Sequence, residues 1–166
     1  MELKLKPFSP LDGRDEWELL QRIGPGENGF MNDGYNVSLE DFPSYLLKQV
    51  GNANAIDLKP HLVPQSCYWL MKDSLPVGYG KIRHRLNSAL LEHGGHIGYS
   101  IDPLCRGRGY GKMLLGLLLE RARYKGIENV LITCGSENYA SQKVIESNSG
   151  ILSKKDEESH WYWINL

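Results

Sequence analysis

The sequence predicts an α/β fold in which helices flank a sheet of mixed strand direction. Two observations lead to this prediction. A strand–turn–strand pattern typical of a β-hairpin occupies residues 66–85, and strand and helix patterns alternate after it. The chain has 166 residues, of which 41% are hydrophobic and 23% charged, so it can bury one core of ordinary size. We therefore expect a single domain over residues 1–166.

The first 65 residues contain one strand pattern and two helix patterns. Leucine alternates with lysine at the start of residues 2–8, which predicts a strand. Asp12 is suited to the N-cap of a helix that ends at Ile23, and a second helix is expected over residues 38–50. Loops are expected after these two helices, at residues 26–36 and 51–64.

From residue 66 onward the patterns are mainly those of strands. Strands at 67–71 and 77–85 flank a turn at 73–76 and form the predicted hairpin. A connection over residues 86–95 leads to a strand at 96–102, and Pro103 ends the pairing of that strand. The remaining expected elements are a helix from 109 or 110 to 125, a strand at 130–134, a helix at 138–147 and closing strands at 151–155 and 160–164.

Charge and cysteine usage exclude several classes of function. A formal net charge of −1 provides no global basic field for nucleic acid. No apolar run approaches the length of a membrane span, and the first residues lack the apolar core of a signal peptide. Three widely spaced cysteines form neither a disulfide framework nor a zinc site. We therefore expect a cytoplasmic protein without a metal, nucleic-acid or membrane partner.

The most informative segment is residues 106–112, Arg-Gly-Arg-Gly-Tyr-Gly-Lys, between a predicted strand and the long helix. Such a loop leaves backbone N–H groups unpaired at a helix N-terminus, where the helix dipole also favours negative charge. The spacing excludes a Walker loop, because Met113 follows the lysine where serine or threonine is required. The alternating glycines also fail the dinucleotide fingerprint. The loop is therefore either a phosphate cradle of another kind or a glycine-rich turn that caps a core helix.

The pattern Arg106-x-x-Gly109-x-Gly111 resembles the acyl-CoA loop of the GNAT family of N-acetyltransferases. Residues 97–103 resemble the family's fourth strand. The run Asn138-x-x-Ser141, followed by Val144-Ile145-Glu146 and Gly150, resembles its next motif. The resemblance covers residues 66–166. It implies an acetyl-CoA-binding core there, a variable N-terminal strand and helices in residues 1–65, and the family's fold, a mixed, mostly antiparallel twisted sheet flanked by helices.

The resemblance also implies that acetyl-CoA is the co-substrate. Glycine-loop amides would bind its pyrophosphate, and the fourth strand would pair with its pantetheine arm by backbone hydrogen bonds. The residues expected to bind it are Tyr99, Ser100, Ile101, Arg106, Gly107, Arg108, Gly109, Tyr110, Gly111, Lys112, Asn138 and Ser141. For Asn138 and Ser141 the alternative role is helix capping.

The activity that the resemblance implies is transfer of the acetyl group to a primary amine, which attacks the thioester directly in a ternary complex. A general base must take a proton from the amine, and a backbone N–H of the fourth strand would stabilise the oxyanion. His96 is the first candidate base because many relatives carry glutamate there, and Glu92 and His93 follow. The alternative role for His96 is pairing within the sheet.

One departure from the family pattern concerns the leaving thiolate. Ile145 stands where many relatives carry a tyrosine acid. A coenzyme A thiol, with a pKa near that of a free cysteine at about 8.5, can leave without an acid. A non-catalytic acyl-CoA-binding module therefore stays open as an alternative, as does a nucleotide-binding or interaction domain. The acceptor, a small molecule or a protein, is expected near the N-terminal helices and the loops at 26–36 and 86–95. A homodimer is left open.

Overall fold

The computed structural model describes residues 2–166, so residue 1 of the predicted domain lies outside the described part. The strands are β1 (Leu3–Pro7), β2 (Gln65–Lys72), β3 (Leu75–Arg83), β4 (Ile97–Ile101), β5 (Asn129–Gly135), β6 (Ile151–Lys155) and β7 (Ser159–Asn165). The helices are α1 (Arg14–Ile23), α2 (Phe42–Ala53), α3 (Ser88–Glu92), α4 (Tyr110–Tyr124) and α5 (Tyr139–Glu146). Across residues 2–166 no helix is long and apolar enough to cross a membrane.

The predicted α/β fold, with helices flanking antiparallel strands, is confirmed, but the expected continuous sheet is divided in two. One sheet has the order β1-β2-β3-β4 and the other β5-β7-β6. Every registered strand pair in the described part is antiparallel. A helical crossover such as α4 connects parallel neighbours, so β4 and β5 would be the parallel pair of a mixed sheet. These two strands do not pair along their length.

Helices cover both faces of the first sheet. On one face α4 buries Leu114 and Leu118 completely, and Gly80 of β3 allows this approach because a Cβ there would lie 2.5 Å from Leu118. On the other face α1 and α2 pack around Trp69, which is also fully buried. Burial of each such side chain stabilises the fold by about 1.5–3 kcal/mol. The first sheet is thus fixed from both sides, and its β4 edge faces the second sheet.

The predicted start of α1 differs from the observed one. Gly13 is the N-cap residue, whereas Asp12 is buried and accepts a hydrogen bond from Nε1 of Trp69 at 2.7 Å. Lys6 of β1 forms an ion pair with Asp12 at 2.7 Å. The carboxylate of Asp12 therefore binds Trp69 of β2 and Lys6 of β1 instead of capping the helix.

Two further segments differ from the prediction. Residues 38–41 form a turn, so α2 begins at Phe42 rather than near residue 38. The connection over residues 86–95 contains the one-turn helix α3, whose first turn is capped because Oδ1 of Asn87 accepts from the N–H of Leu90 at 2.9 Å. The remaining predicted strands and helices are confirmed within a few residues at each end.

Candidate functional site

The two sheets meet just before β4 and separate beyond it. The backbone N–H of His96 donates to the carbonyl O of Leu131 in β5 at 2.8 Å. The N–H of Gly94 donates to Oγ1 of Thr133 at 2.9 Å. Gly95 permits this contact, because it has a φ of +58° and a Cβ there would lie 2.3 Å from the carbonyl O of Leu131. Within residues 2–166 no strand pairing joins β4 to β5 beyond this point, so a gap opens between them.

A cavity of about 780 Å³ fills this gap and reaches both faces of the first sheet. On the face covered by α4 it is lined by the glycine loop and by α5, including Ser141 and Val144. On the face covered by α1 and α2 it is lined by residues 27–31, Lys81 and Arg83. A volume in this range is typical of a small-molecule site. Two ligands could therefore enter from opposite faces and meet in the gap.

Backbone groups of β4 alternate between β3 and the gap. The carbonyl oxygens of Gly98 and Ser100 lie against two glycines of β3. Successive residues of a strand turn their backbone groups to opposite edges, so Ile97, Tyr99 and Ile101 turn theirs into the gap. Of the three residues predicted to pair with pantetheine, Tyr99 thus turns both backbone groups into the gap, whereas those of Ser100 face β3. Ile101 has only its N–H available there, because its carbonyl O accepts from Nε of Arg106.

The glycine loop adopts backbone conformations that require glycine. Gly107 and Gly109 have φ values of +76° and +80°, and Gly109 is the N-cap of α4. A Cβ at either position would meet no atom within 4 Å, so conformation rather than space demands glycine there. Gly111 lies two residues later, in the first turn of α4, where a Cβ would stand 3.4 Å from Val144 of α5. At these three glycines no side chain stands between the backbone of the loop and the cavity.

The three basic residues of the loop are not equivalent. The guanidinium of Arg106 pairs with the carboxylate of Glu27, and its Nε donates to the carbonyl O of Ile101 at 3.2 Å. Arg108 and Lys112 are exposed, and within the described residues neither has a carboxylate at ion-pair distance. Arg106 thus ties the loop to residues 27–31, while the other two charges stay available to an anion.

Asn138 and Ser141 both line the cavity, and both also have structural roles. Oδ1 of Asn138 accepts from the N–H of Ser141 at 3.2 Å, which caps α5. The hydroxyl groups of Ser141 and Tyr99 are 2.7 Å apart and share a hydrogen bond. Burial raises the pKa of Tyr99, so its phenol stays protonated at neutral pH. The capping alternative is thus observed for Asn138, and its predicted contact with the acyl arm stays a prediction.

His96 is committed to the junction of the two sheets. Its imidazole is buried, and its Nδ1 accepts a hydrogen bond from the backbone N–H of Leu131 at 2.9 Å. An accepting Nδ1 carries no proton, so the neutral ring holds its proton on Nε2. Burial, and then the charge of Arg83, lower the pKa of His96. The only lone pair that could take a proton is therefore occupied, which disfavours the predicted role as base.

The other two candidate bases lie on either side of the cavity edge. Glu92 is exposed at the end of α3, and its backbone carbonyl accepts from Nε1 of Trp161 at 2.9 Å. His93 follows it, is exposed, and lines the cavity next to Gly94. Its ring centroid lies 6.2 Å from that of Trp161. Of the three candidates, all within the described residues, His93 is the one in contact with the cavity.

Lys81 and Arg83 are among the cavity residues that had no assigned role in the sequence analysis. They are two positions apart in a strand, so both lie on one face of β3. The strand pattern in the sequence was enough to predict that they share a face. What the sequence did not reveal is that this face is covered, so that Lys81 is only 4% exposed.

Two thiols line the cavity, those of Cys105 and of Cys134 in β5. Burial raises the pKa of the Cys134 thiol to about 11. A thiol with a raised pKa is a weak nucleophile at neutral pH, and Cys134 also packs in the hydrophobic core. Within residues 2–166 no three His, Cys, Asp or Glu side chains are grouped closely enough to hold a metal ion.

The comparisons with known proteins agree with this geometry. The model of the acetyltransferase (GNAT) family matches residues 32–151. No curated protein sequence matches the chain significantly.

Solved structures of the same fold are numerous. A GNAT-family acetyltransferase from Streptococcus pneumoniae has a TM-score of 0.68 at 16% identity, with 99% of this chain and 100% of that chain covered. The Campylobacter jejuni N-acetyltransferase PseH, in complex with acetyl coenzyme A, has a TM-score of 0.65 at 13% identity, with 99% of each chain covered. The ribosomal-protein-S5-alanine acetyltransferase from Vibrio fischeri has a TM-score of 0.73 at 14% identity, with 99% and 93% covered. Identities this low show similarity of fold alone.

Proposed function

The chain belongs to the GNAT family of acetyltransferases, and from that premise we propose that it transfers an acetyl group from acetyl-CoA to a primary amine. In this proposal the amine attacks the thioester directly, in a ternary complex and without a covalent enzyme intermediate. The observation that carries the proposal is the gap between β4 and β5, because the cavity in it reaches both faces of the sheet. Donor and acceptor can thus approach each other from opposite sides.

The glycine loop fits the pyrophosphate of the donor. The left-handed φ values of Gly107 and Gly109, with open space beside both, leave room for close approach to the backbone. The N–H groups of Gly111 and Lys112, in the first turn of α4, lack intrahelical partners, and the side chains of Arg108 and Lys112 add positive charge beside them. These features support pyrophosphate binding by residues 107–112, with Arg106 holding the loop against Ile101.

The direction of the donor follows from the position of this loop. The loop comes directly after the end of β4, so an arm paired with the gap edge of β4 runs from Ile101 back towards His96. Tyr99 and Ile101 would provide the backbone hydrogen bonds. The thioester would then lie near Ile97 and Tyr99, close to where the sheets meet, and a backbone N–H of this edge would stabilise the oxyanion.

We assign the base to His93 rather than to His96 or Glu92. The lone pair of His96 is occupied by the N–H of Leu131. His93 lines the cavity near the end of β4 that receives the thioester, and histidine is the commonest general base in enzymes. Exchange of His93 for alanine should lower kcat by about 10²–10⁴-fold and leave the affinity for acetyl-CoA unchanged. His61→Ala, an exposed histidine outside the cavity, is the matched control.

The thiolate is proposed to leave without an acid from α5. Ile145 is fully buried in the core at the position where relatives carry tyrosine. The same observation favours a second candidate function, a non-catalytic acyl-CoA-binding module.

Three expectations stay predictions of the sequence. They are the cytoplasmic location, the single domain with a boundary near residue 65 between its variable and its acetyl-CoA-binding parts, and the possibility of a homodimer.

The experiment that separates the two functions is turnover on a panel of primary amines. Release of free coenzyme A thiol, with the acetylated amine detected by mass spectrometry, is the expected result for the enzyme. Saturable binding of acetyl-CoA with no amine-dependent release on any member favours the binding module. Absence of acetyl-CoA binding contradicts both.

A further inference from the structure

The acceptor face of the cavity holds two cations that no carboxylate neutralises. Lys81 is 4% exposed, and its Nζ donates to the carbonyl O of Met31 at 2.7 Å. It also lies 4.9 Å from the centroid of the Phe30 ring. Within residues 2–166 no aspartate or glutamate lies at ion-pair distance from Lys81. A lysine ammonium has three N–H donors, so two remain beyond the bond to Met31.

Arg83 stands beside Lys81 on the same face of β3. Its Nη1 donates to the carbonyl oxygens of Gly94 and Gly95, at 3.0 and 3.2 Å. It too has no carboxylate at ion-pair distance among the described residues. A guanidinium carries five N–H donors in a planar fork that matches carboxylate and phosphate oxygens. The bonds to the two glycines hold the side chain in place and leave part of this fork available.

A buried lysine cation beside a half-buried arginine cation is unfavourable unless an anion joins them. Burial, and then the charge of Arg83, lower the pKa of Lys81, while Cys67 and Asp33 act in the opposite direction. Burial is also the main cause that lowers the pKa of Arg83. A buried charge without a counter-charge destabilises the fold. The carbonyl of Met31 and the ring of Phe30 both favour the ammonium, but neither carries a negative charge that neutralises it.

Among the described residues no carboxylate pairs directly with these two cations. Asp33, which is exposed, acts to raise the pKa of both but lies beyond ion-pair distance. Two carboxylate residues line the same cavity, Glu27 and Glu158, and both are exposed. Glu27 is already paired with Arg106 of the glycine loop. Buried Lys81 and half-buried Arg83 therefore line the acceptor side of the cavity without a paired carboxylate.

The pair also lies beside the place where the acceptor must react. Lys81 is the register partner of Gly98 in β4, between the two residues nearest the proposed thioester position. A Cβ at Gly98 would lie 3.5 Å from Cε of Lys81 and 3.3 Å from the Phe30 ring. Gly98 therefore leaves a space bounded by the lysine, the aromatic ring and β4.

We infer that Lys81 and Arg83 bind an anionic group of the acceptor, a carboxylate or a phosphate, so that the acceptor is a primary amine carrying such a group. The inference rests on the proposed acetyl transfer for its statement that the bound anion is the acceptor. The same two cations disfavour a protonated amine close to them. They thereby assist formation of the neutral amine that attacks.

The test uses the full chain saturated with coenzyme A and titrated calorimetrically with matched pairs of amines. Each pair differs in one anionic group: amino acids and dipeptides against their carboxamides, and amino alcohols against their phosphate esters. We expect at least one anionic member to bind about tenfold or more tightly than its uncharged counterpart, as a charged hydrogen bond predicts. The pairs that show the preference distinguish carboxylate from phosphate.

Three variants assign the preference to these residues. Lys81→Met removes the charge at nearly constant length and should abolish the preference without loss of coenzyme A affinity. Met suits a buried site, so the melting temperature should stay the same or rise. Arg83→Met should weaken the preference, and melting temperature and coenzyme A affinity report any loosening of residues 94–95. Arg85→Met, an exposed arginine outside the cavity, should leave the preference intact.

Each contrary outcome overturns the inference. Equal binding of charged and uncharged members, binding of uncharged members alone, no binding by any anionic member, or a preference that persists in Lys81→Met all contradict it. Failure of the proposed acetyl transfer can be distinguished from failure of the anion site. Anion-selective binding without acetyl transfer would refute catalysis and keep the site, whereas transfer to uncharged amines without preference would do the reverse.

Discussion

The backbone N–H of Leu131 donates to Nδ1 of His96 at 2.9 Å, while the backbone N–H of His96 donates to the carbonyl O of Leu131 at 2.8 Å. The histidine ring thus acts as an additional strand partner at the junction of the two sheets. Beyond it β4 and β5 separate and the cavity begins. The width of the gap therefore depends on this residue pair.

Removal of this ring should destabilise the fold. His96→Ala leaves the N–H of Leu131 without a side-chain acceptor in a buried position. We expect a loss of about 1–3 kcal/mol in the free energy of unfolding, measured by urea denaturation. His96→Gln offers an amide oxygen to the same N–H and should recover part of the loss. The folded fraction of both variants should keep turning over acetyl-CoA. Loss of turnover in both, at unchanged stability, would restore His96 as base.

The same residue predicts a pH dependence of stability. The pKa of His96 is lowered in the folded state. As pH falls, the imidazole of His96 is therefore protonated in the unfolded chain before it is protonated in the folded one. Stability is unaffected above the unfolded pKa of about 6.5 and declines as pH falls from there to the lowered folded value. Glutamine at position 96 does not titrate, so the stability of His96→Gln does not show this decline. Its deficit in unfolding free energy relative to wild type should therefore shrink on acidification, by about 1.4 kcal/mol per unit of difference between the unfolded and folded pKa of His96. A deficit that stays constant or grows contradicts the assignment.

The ion pair between Glu27 and Arg106 should oppose donor binding. Glu27 places a negative charge beside the loop that is proposed to bind pyrophosphate. Glu27→Gln should therefore tighten acetyl-CoA binding by about two- to fivefold at low salt, and less at high salt because exposed charges are screened. Glu18→Gln removes an exposed carboxylate that pairs with Arg14 and Arg22, outside the cavity, and should change nothing. Weaker binding in Glu27→Gln would show that the pair positions the loop instead.

Restoration of the family's tyrosine should not restore an acid. Ile145 is fully buried, and a Cβ at Gly150 would already lie 2.4 Å from its side chain. Ile145→Tyr should lower the free energy of unfolding by about 1–3 kcal/mol through overpacking, without raising kcat. Ile145→Val, which removes one methyl group, is the control and should cost about 0.5–1.5 kcal/mol. A rise in kcat in the tyrosine variant would mean that turnover of the wild type is limited by the missing acid.

The parts of the fold that could be predicted from the sequence depend on local patterns. The glycine loop between β4 and α4 is such a case, because φ requirements, helix start and basic residues all lie within residues 106–112. The family resemblance extended this local signal to the whole fold. The α3 helix was missed because five residues carry too little periodicity.

The parts that could not be predicted depend on distant partners. Aspartate is a favoured helix-capping residue, yet the carboxylate of Asp12 accepts a hydrogen bond from Trp69, 57 positions later. His96 stands in a motif position for a base, yet its ring is taken by Leu131 of the other sheet. A lysine in a strand is usually exposed to solvent, whereas Lys81 is buried because residues 30–31 pack over it. In each case a tertiary contact overrides the local preference.

The most direct test of the central claim is a calorimetric titration of three proteins with acetyl-CoA. Wild type should bind saturably with one site per chain. Gly109→Val and Gly126→Val should lose similar stability, because both glycines have φ near +80° with nothing within 4 Å of a Cβ. Gly126 lies beyond the end of α4, outside the cavity, so Gly126→Val should bind as wild type does, whereas Gly109→Val should not bind measurably. Equal affinity in all three proteins, or no binding by wild type, would contradict the assignment of residues 106–112 as the donor's pyrophosphate loop.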